Sequence, residues 1–532
     1  EGYLAARERS GFYVQEYLPI AERGYLSMTD GASFSYDGNV TLNYNTLVNE
    51  KHIIYAGAGL EVTQNDNNSH GFIMTGFPDD RYSDPAFAIQ YKKETKPSSS
   101  ESKSRAIGFF ANGNYSYDDR YFADVSVRID GSSKFGADKK YAPFWSAGAG
   151  WNVHNEKFFK HTKISMLKLR YSYGVTGNQE FSAYQAKTMF QFNTDRLYNS
   201  GISAALMGYG NPDLEWQNQY QSNYGFDFGY AKDRIRLQFN YYQKKTEGML
   251  TSVSVAPSLG LPSNTFTSNL GKIQNKGVEV NLNAVLIRDQ GKDFEWSVML
   301  QAAHNKNKIM EISTALKNIN EKNNQDKTTP AAVYEEGESM SAIKAVPSLG
   351  IDPTTGQELF MKKDGTITYT WDATDKVICG DSEPKVFGNV GTNLYWKGWN
   401  LNMVFKYDLG ADYYNSTLAE RVEGANPRYN ADRRVLNNRW KEPGQHALYK
   451  NIKEYTTTYI SSRFVQKENT LQLTSLSLSY DLNREWIRKF GLNTMRLSFY
   501  MNDVFRASTV KNERGLDYPF QRSFVFGLNI GF

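Results

Sequence analysis

The chain carries a single cysteine, Cys379, which excludes an intramolecular disulfide framework and any cysteine-built metal site. Its six histidines, His52, His70, His154, His161, His304 and His446, show no metal-ligand spacing and no His-Glu-x-x-His. Proline is sparse at 15 residues, so few segments are barred from a β-ladder. No run approaches the roughly 18 unbroken apolar residues of a membrane helix, so a chain that crosses a bilayer with this sequence crosses it as strands. Charge of one sign is lacking too. The 61 basic and 57 acidic residues leave +4, and no basic run with interleaved aromatics tracks a nucleic-acid backbone. No Gly-x-Ser-x-Gly elbow, phosphate-cradling glycine loop or other cofactor pattern occurs, and nothing marks an enzyme. The chain opens at Glu1 without an apolar export segment.

Aromatics and glycine are abundant. There are 36 Tyr, 31 Phe and 42 Gly in 532 residues, a composition suited to many strands with glycine at turns and kinks. The negative mean hydropathy fits such a protein in a membrane, because only alternate residues of each strand meet lipid and long outer loops are polar.

The last ten residues show the pattern best. Phe524, Phe526, Leu528, Ile530 and Phe532 share one face; Gly527, Asn529 and Gly531 share the other. Upstream, alternating strands return in pairs. Val40 to Tyr44 pairs with Ile54 to Val62 across Asn49-Glu50-Lys51, and Ile107 to Tyr115 pairs with Tyr121 to Ile129 across Asp118-Asp119-Arg120. Further pairs are 145–153 with 167–175 across a turn near Asn155, 224–230 with 235–241 across Lys232-Asp233-Arg234, and 278–286 with 294–300 across Asp289-Gln290-Gly291. The series ends with 386–396 and 399–407 around Lys397-Gly398, then 476–482 with 495–501 and the terminal strand. Trp145, Trp151, Trp296, Trp396, Trp399, Tyr230 and Tyr241 fall near strand ends, where aromatic girdles sit.

The predicted fold is therefore all-β, a transmembrane antiparallel β-barrel with about 15 strands in this chain, short and long connections alternating. Long extracellular loops are expected at about 65–104, 176–215, 305–384 and 411–468. The serine-rich stretch Lys96 to Ser102 reads as mobile loop, 318–327 as partly unstructured, and Arg433 to Lys441 as a short helix. Single-chain bacterial barrels close on even strand numbers. Residues 1–36 are thus expected to be an extracellular loop continuing from a missing upstream strand, and 37–532 the C-terminal part of a larger barrel.

Local motifs sharpen this expectation. Asp124 to Gly136 ends in Arg-x-Asp-Gly-Ser-Ser-x-Phe-Gly and is followed by the Pro-led strand Pro143 to Trp151. Leu169 to Asn178, Asn211-Pro-Asp-Leu-Glu-Trp216, Asn275-Lys-Gly-Val-Glu-Val280 and Asn438-Arg-Trp-Lys-Glu-Pro-Gly444 follow in order. Together they resemble the barrel of SusC/RagA-type TonB-dependent transporters over roughly residues 37–532. The resemblance implies a barrel of about 22 strands with an N-terminal plug. It implies import of an oligomeric nutrient, a glycan or a peptide, energised by TonB beneath a SusD-like surface lipoprotein. It also leaves open a dimer of SusC–SusD pairs. The alternative from another class is a SusC-like barrel kept as a scaffold subunit of a larger outer-membrane complex; a passive porin is disfavoured by barrel width.

Candidate residues are few. Phe532, the aromatic end of the last strand, is expected to close the signal read by the barrel-assembly machinery. Arg128, Asp130, Arg170 and Lys406 face inward, as lumen solvation or a transport path requires. Trp371, Tyr413 and Tyr414 could stack on sugar rings or pack within loops. Asn65 to Ser69 carries oxygen donors that suit either calcium or solvent, while Asp352 to Gly356 and Asp364-Gly365 read as turns. Substrate-binding residues are not defined by the sequence.

Overall fold

The computed structural model describes residues 18–532 apart from 79–83, 137–138, 160–162, 179–182, 199–200, 255–264, 270, 313–316, 318–319, 322, 325–326, 329, 331–332, 427, 429–431, 454–455 and 512–520. One antiparallel sheet of sixteen strands consists of the two-residue strand Gln90–Tyr91, paired with Met74 and Thr75, and fifteen longer strands, each paired with its neighbours in chain order. They are β1 (Tyr25–Val48), β2 (His52–Thr75), β3 (Ser98–Tyr117), β4 (Tyr121–Ser132), β5 (Tyr141–Asn152), β6 (Ile164–Asn178), β7 (Gln217–Tyr230) and β8 (Ile235–Glu247). Then come β9 (Lys272–Asp289), β10 (Phe294–Glu311), β11 (Val386–Trp396), β12 (Trp399–Tyr414), β13 (Val465–Asp481), β14 (Thr494–Ser508) and β15 (Phe524–Gly531). The expected number, order and pairing of strands are all found. No described helix is long and apolar enough to cross a membrane.

Alternate connections are tight. Asn49 and Glu50, Asp118 and Asp119, and Lys397 and Gly398 take positive φ in consecutive pairs, the geometry whose twist matches that of the flanking strands. These turns share one end of the sheet with 231–234, 290–293 and the short helix Arg484–Arg488. All the long connections gather at the other end.

Two faces follow from the register. Leu60, Phe109, Ile129 and Pro143 stand in one cross-strand row, as do Ala58, Ala111, Val127 and Trp145. On this outward face Val40, Leu42, Phe109, Val125 and Phe526 are all exposed, Phe526 by 76%. Large apolar side chains left uncovered over a whole sheet face require an apolar solvent. At the turn end Tyr117, Tyr121 and Trp151 stack successively at 6.5 and 6.3 Å, and Trp399 meets Tyr480 at 4.6 Å. Trp296 belongs to this girdle, whereas Tyr241 lies mid-strand beside Tyr224.

The inward face is polar, with aromatics laid flat across glycines of the next strand. Phe122 lies opposite Gly150, where a Cβ would come 1.8 Å from the ring, and Lys168 Nζ caps that ring at 4.1 Å. The missing side chain is what lets the ring lie against the wall.

Several expected boundaries move. The regular strand begins at Tyr25 rather than near Asn39, so residues 25–36 are strand instead of loop; residues 1–17 lie outside the description. Asn65 to Ser69 is not a loop but continues β2, paired with 31–35 and 100–104. The serines Ser98 to Ser102 likewise pair with 67–71. β1 and β2 run 24 residues each, whereas a tilted strand crosses the bilayer core in roughly 9–11. Beyond that height no lipid selects alternate side chains, yet main-chain pairing continues. The connections also hold unforeseen structure: a hairpin of Met189–Tyr198 with Gly201–Gly208, and small sheets within 342–381. Arg433–Leu436 forms one short 3-10 turn in place of the helix expected to Lys441.

Replacing Gly150 with Val is expected to destabilise the barrel by about 1–3 kcal/mol through overpacking against Phe122. Urea unfolding in detergent, followed by heat-modifiable gel migration, measures it. Adding Phe122→Ala should recover part of the loss, and an unchanged midpoint for the single variant would refute the packing argument.

Candidate functional site: the inner wall and the loop-end layer

Several charges of the inner wall are compensated by neighbours. Arg128 donates from Nη2 to Glu61 Oε2 at 2.8 Å and from Nε to Asp130 Oδ1 at 2.6 Å. Arg170 reaches Asp227 at 2.8 Å and Asn240 at 3.0 Å. Lys406 pairs with Asp408 at 3.1 Å. The inward polar residues expected from the sequence are therefore parts of cross-strand networks. Near the loop end the first network borders a cavity of about 430 Å³ lined also by Asn65, Lys134, Asn178 and Trp216. A second inward cavity of about 310 Å³ lies between β10 and the following loop. There Glu383 accepts from Asn305 and Asn307, both at 2.6 Å.

Two of the sequence motifs meet above the first cavity. Phe135 stacks on Trp216 at 4.3 Å, Phe144 meets the same indole edge-on at 5.4 Å, and Gly136 N–H donates to the Leu214 carbonyl at 3.2 Å. A Cβ at Gly136 would stand 1.7 Å from the Pro212 carbonyl oxygen, so only glycine admits this approach. Leu214 is fully buried, and Asn211 folds its own turn by accepting from Asp213 N–H at 3.1 Å.

The connections 312–385 and 415–464 build one interlocked layer. Val346 and Ser461 form a parallel bridge, Ser348 N–H donates to Ser462 Oγ at 2.9 Å, and Trp371 Nε1 donates to the Ile460 carbonyl at 2.9 Å. The Trp371 ring stacks on Tyr459 at 5.1 Å. At its centre the buried Arg463 guanidinium donates to Glu358 Oε2 at 2.8 Å and to Glu423 at 2.5 and 2.8 Å. Hydrogen bonds and charge attraction from these two carboxylates hold its pKa above the ordinary arginine value against the opposing effect of burial. The Asn438 to Gly444 motif serves the same layer. Arg439 is buried and donates to the carbonyls of Val435, Lys450, Val422 and Glu423, while burial lowers its pKa. Trp440 Nε1 and Gly444 N–H both donate to Pro353, at 2.9 and 2.8 Å. Arg434 holds the neighbouring Asp432 carboxyl down at about 2.

The remaining candidates separate. Trp371 packs inside the layer, and Tyr414 meets Phe464 edge-on at 6.1 Å, also within it; Tyr413 is half-buried on the same strand. Asp352 to Gly356 and Asp364-Gly365 are turns, Asp352 accepting from Thr354 N–H at 2.9 Å and Asp364 from Thr366 N–H at 2.9 Å. His52, His154 and His304 are held separately, by Tyr115, the Leu167 carbonyl and the Lys385 carbonyl; His161 lies outside the described residues. Among the described residues no three His, Cys, Asp or Glu side chains converge as metal ligands. Cys379 is half-buried beneath the Ala345 carbonyl, and burial pushes its thiol up. Phe532 follows β15 and is 88% exposed on the outward side. The two cavities and the Arg463 centre had no signature in the sequence, because each is assembled from residues far apart in the chain.

An apolar outer face, a charged inner wall and one end crowned by folded loops define an outer-membrane β-barrel of the transporter type. The family described as TonB dependent receptor-like, beta-barrel matches residues 3–502, and the chain belongs to it. TonB-dependent receptor P3 of Formosa agariphila is 28% identical over 486 residues, covering 82% of this chain and 46% of that protein. TonB-dependent receptor SusC of Bacteroides thetaiotaomicron is 23% identical over 535 residues, covering 94% and 51%. The RagAB peptide importer in its closed-closed state shares the fold with a TM-score of 0.83 at 22% identity, covering 96% of this chain and 57% of that one. The SusC/RagA resemblance read from the motifs is thus borne out. The chain spans about half the length of the curated relatives it matches.

Replacing Arg463 with Met leaves the buried Glu358 without its cation and Glu423 with only Lys450, 3.8 Å away, and is expected to cost the layer about 3–5 kcal/mol of local stability. Hydrogen exchange should accelerate in 342–381 and 415–464 together while β4 to β8 stay protected. Faster exchange in one connection alone would show that the two are not a unit.

Proposed function

We propose that the whole protein imports an oligomeric nutrient, a glycan or a peptide, across the outer membrane in a TonB-dependent manner, with a SusD-like lipoprotein as its lid. The observation that carries this is the ordered layer over one end of a polar inner wall. A wide barrel left empty would leak solutes, and a gated barrel needs a fixed rim against which a lid can close. The loop end then faces outward and the tight turns face the periplasm, as in other outer-membrane barrels. Among the described residues β1 and β15 each have one neighbour in the sheet, and unpaired edges are costly in lipid, so the proposed transporter is a closed barrel, of about 22 strands in the whole protein. Transport rather than catalysis is the proposed activity. Phe532 is proposed to end the recognition signal for barrel assembly.

Growth of a deletion strain on single glycans and peptides, with and without the restored gene, tests the import reading. Uptake of one labelled oligomer class should vanish on deletion, and also when TonB coupling is removed. Unchanged uptake of every class, accompanied by dissociation of a stable complex of other outer-membrane proteins, would establish the scaffold alternative instead. Deletion of Phe532 should reduce folded barrel in the membrane severalfold by heat-modifiable migration; normal assembly would remove its proposed role.

A further inference from the structure

A groove of about 450 Å³ opens on the outward face of the sheet, at the loop end of β2, β3 and β4. Its lower wall continues the apolar surface. Val62, Ile107, Gly131 and Tyr141 form one cross-strand row, immediately above the row of Leu60, Phe109 and Ile129. The next row up changes character. It holds Gln64 and Arg105, whose Nε donates to Gln64 Oε1 at 3.0 Å. Lys140 and Lys187 complete the rim, and among the described residues no carboxylate lines the groove. All three cations are exposed. Their neighbours are committed elsewhere, Lys103 to Asp66 at 3.3 Å and Lys139 to Glu215 at 3.4 Å. Among the described residues, none of Arg105, Lys140 and Lys187 forms an ion pair with a carboxylate.

We infer that this groove binds an acylated, phosphorylated lipid of the outer leaflet, its chains against Val62, Ile107 and Tyr141 and its phosphate between Arg105, Lys140 and Lys187. The inference rests on the proposed placement of the loop end outside the cell. The amphipathic order of the groove fits this ligand. The apolar side lies toward the bilayer core, and the cations stand where the side-chain pattern leaves the lipid. A soluble anion would have no use for the apolar wall, and a neutral lipid none for three cations that pair with no described carboxylate. Basic residues beside an anionic lipid surface act nearly additively, so three of them strengthen binding on the order of a hundredfold.

Native mass spectrometry of the full-length protein in detergent provides the test, with monophosphoryl lipid A as probe. A neutral glycolipid of equal acyl content and inorganic phosphate are the controls. The wild-type protein should retain the lipid A probe and neither control. The triple variant Arg105→Gln, Lys140→Gln, Lys187→Gln should lose retention on the order of a hundredfold, whereas Arg105→Lys, Lys140→Arg, Lys187→Arg should keep it. Heat-modifiable migration confirms that each variant folds. Should the triple variant fail to fold, Lys187→Gln alone, in the loop wall, should still weaken retention severalfold. Equal retention of the neutral glycolipid, capture of phosphate alone, or an unaffected glutamine variant would each overturn the proposal. Placement is read separately, from labelling of Leu448→Cys in a Cys379→Ser background on intact cells by a membrane-impermeant maleimide. Failure to label would refute the outward loop end, whatever the lipid result.

Discussion

Within a bilayer no water is available to a stray N–H or C=O, and this one requirement shapes the protein. Each interior strand of the sheet gives its main-chain groups to two neighbours, in register, along most of its length. Once the backbone is satisfied in this way, side chains are free to answer to whatever lies on each side. Outward they are apolar because lipid is there; inward they are polar because water is. The same sheet therefore tolerates Arg128 and Val127 as sequence neighbours, one held by Glu61 and Asp130, the other exposed toward lipid.

That division explains which parts of the fold were legible in the sequence. Alternation exists only where the two faces meet different solvents, so it marked the membrane band and the tight turns beside it. Asn49-Glu50-Lys51 and Lys397-Gly398 were readable because a short turn between two such strands leaves little choice of geometry. Above the band both faces meet water, and the pattern dissolves while the ladder continues. Residues 25–36 and Ser98 to Ser102 therefore looked like loop although they are strand. The backbone does not need hydrophobic side chains to pair.

The candidate site was legible in a different sense. Three of the motifs that marked the family proved to be fasteners of the loop end. Phe135 from one motif stacks on Trp216 from another, and the Asn438 to Gly444 motif supplies the buried Arg439 and the indole that grips Pro353. Such residues are constrained by close packing and by carbonyls that need donors. Their sequence signal is strong because their geometry is strict. It carries little information about cargo, since none of these groups faces the lumen with a free donor.

The inner wall extends this point. Arg170 is occupied by Asp227 and Asn240, Glu383 by Asn305 and Asn307, and Lys406 by Asp408. A passing solute would have to displace one of these partners to bind tightly, and charge-assisted bonds of this kind are costly to leave unmade. A wall already satisfied in itself favours weak, brief contacts, which suit passage better than capture. Discrimination between solutes then falls to surfaces met before the wall, at the rim. A rigid rim strengthens that division of labour. Arg463 and Arg439 tie their connections to buried carboxylates and carbonyls, so the rim is fixed by its own contacts and little entropy is lost when another surface docks on it.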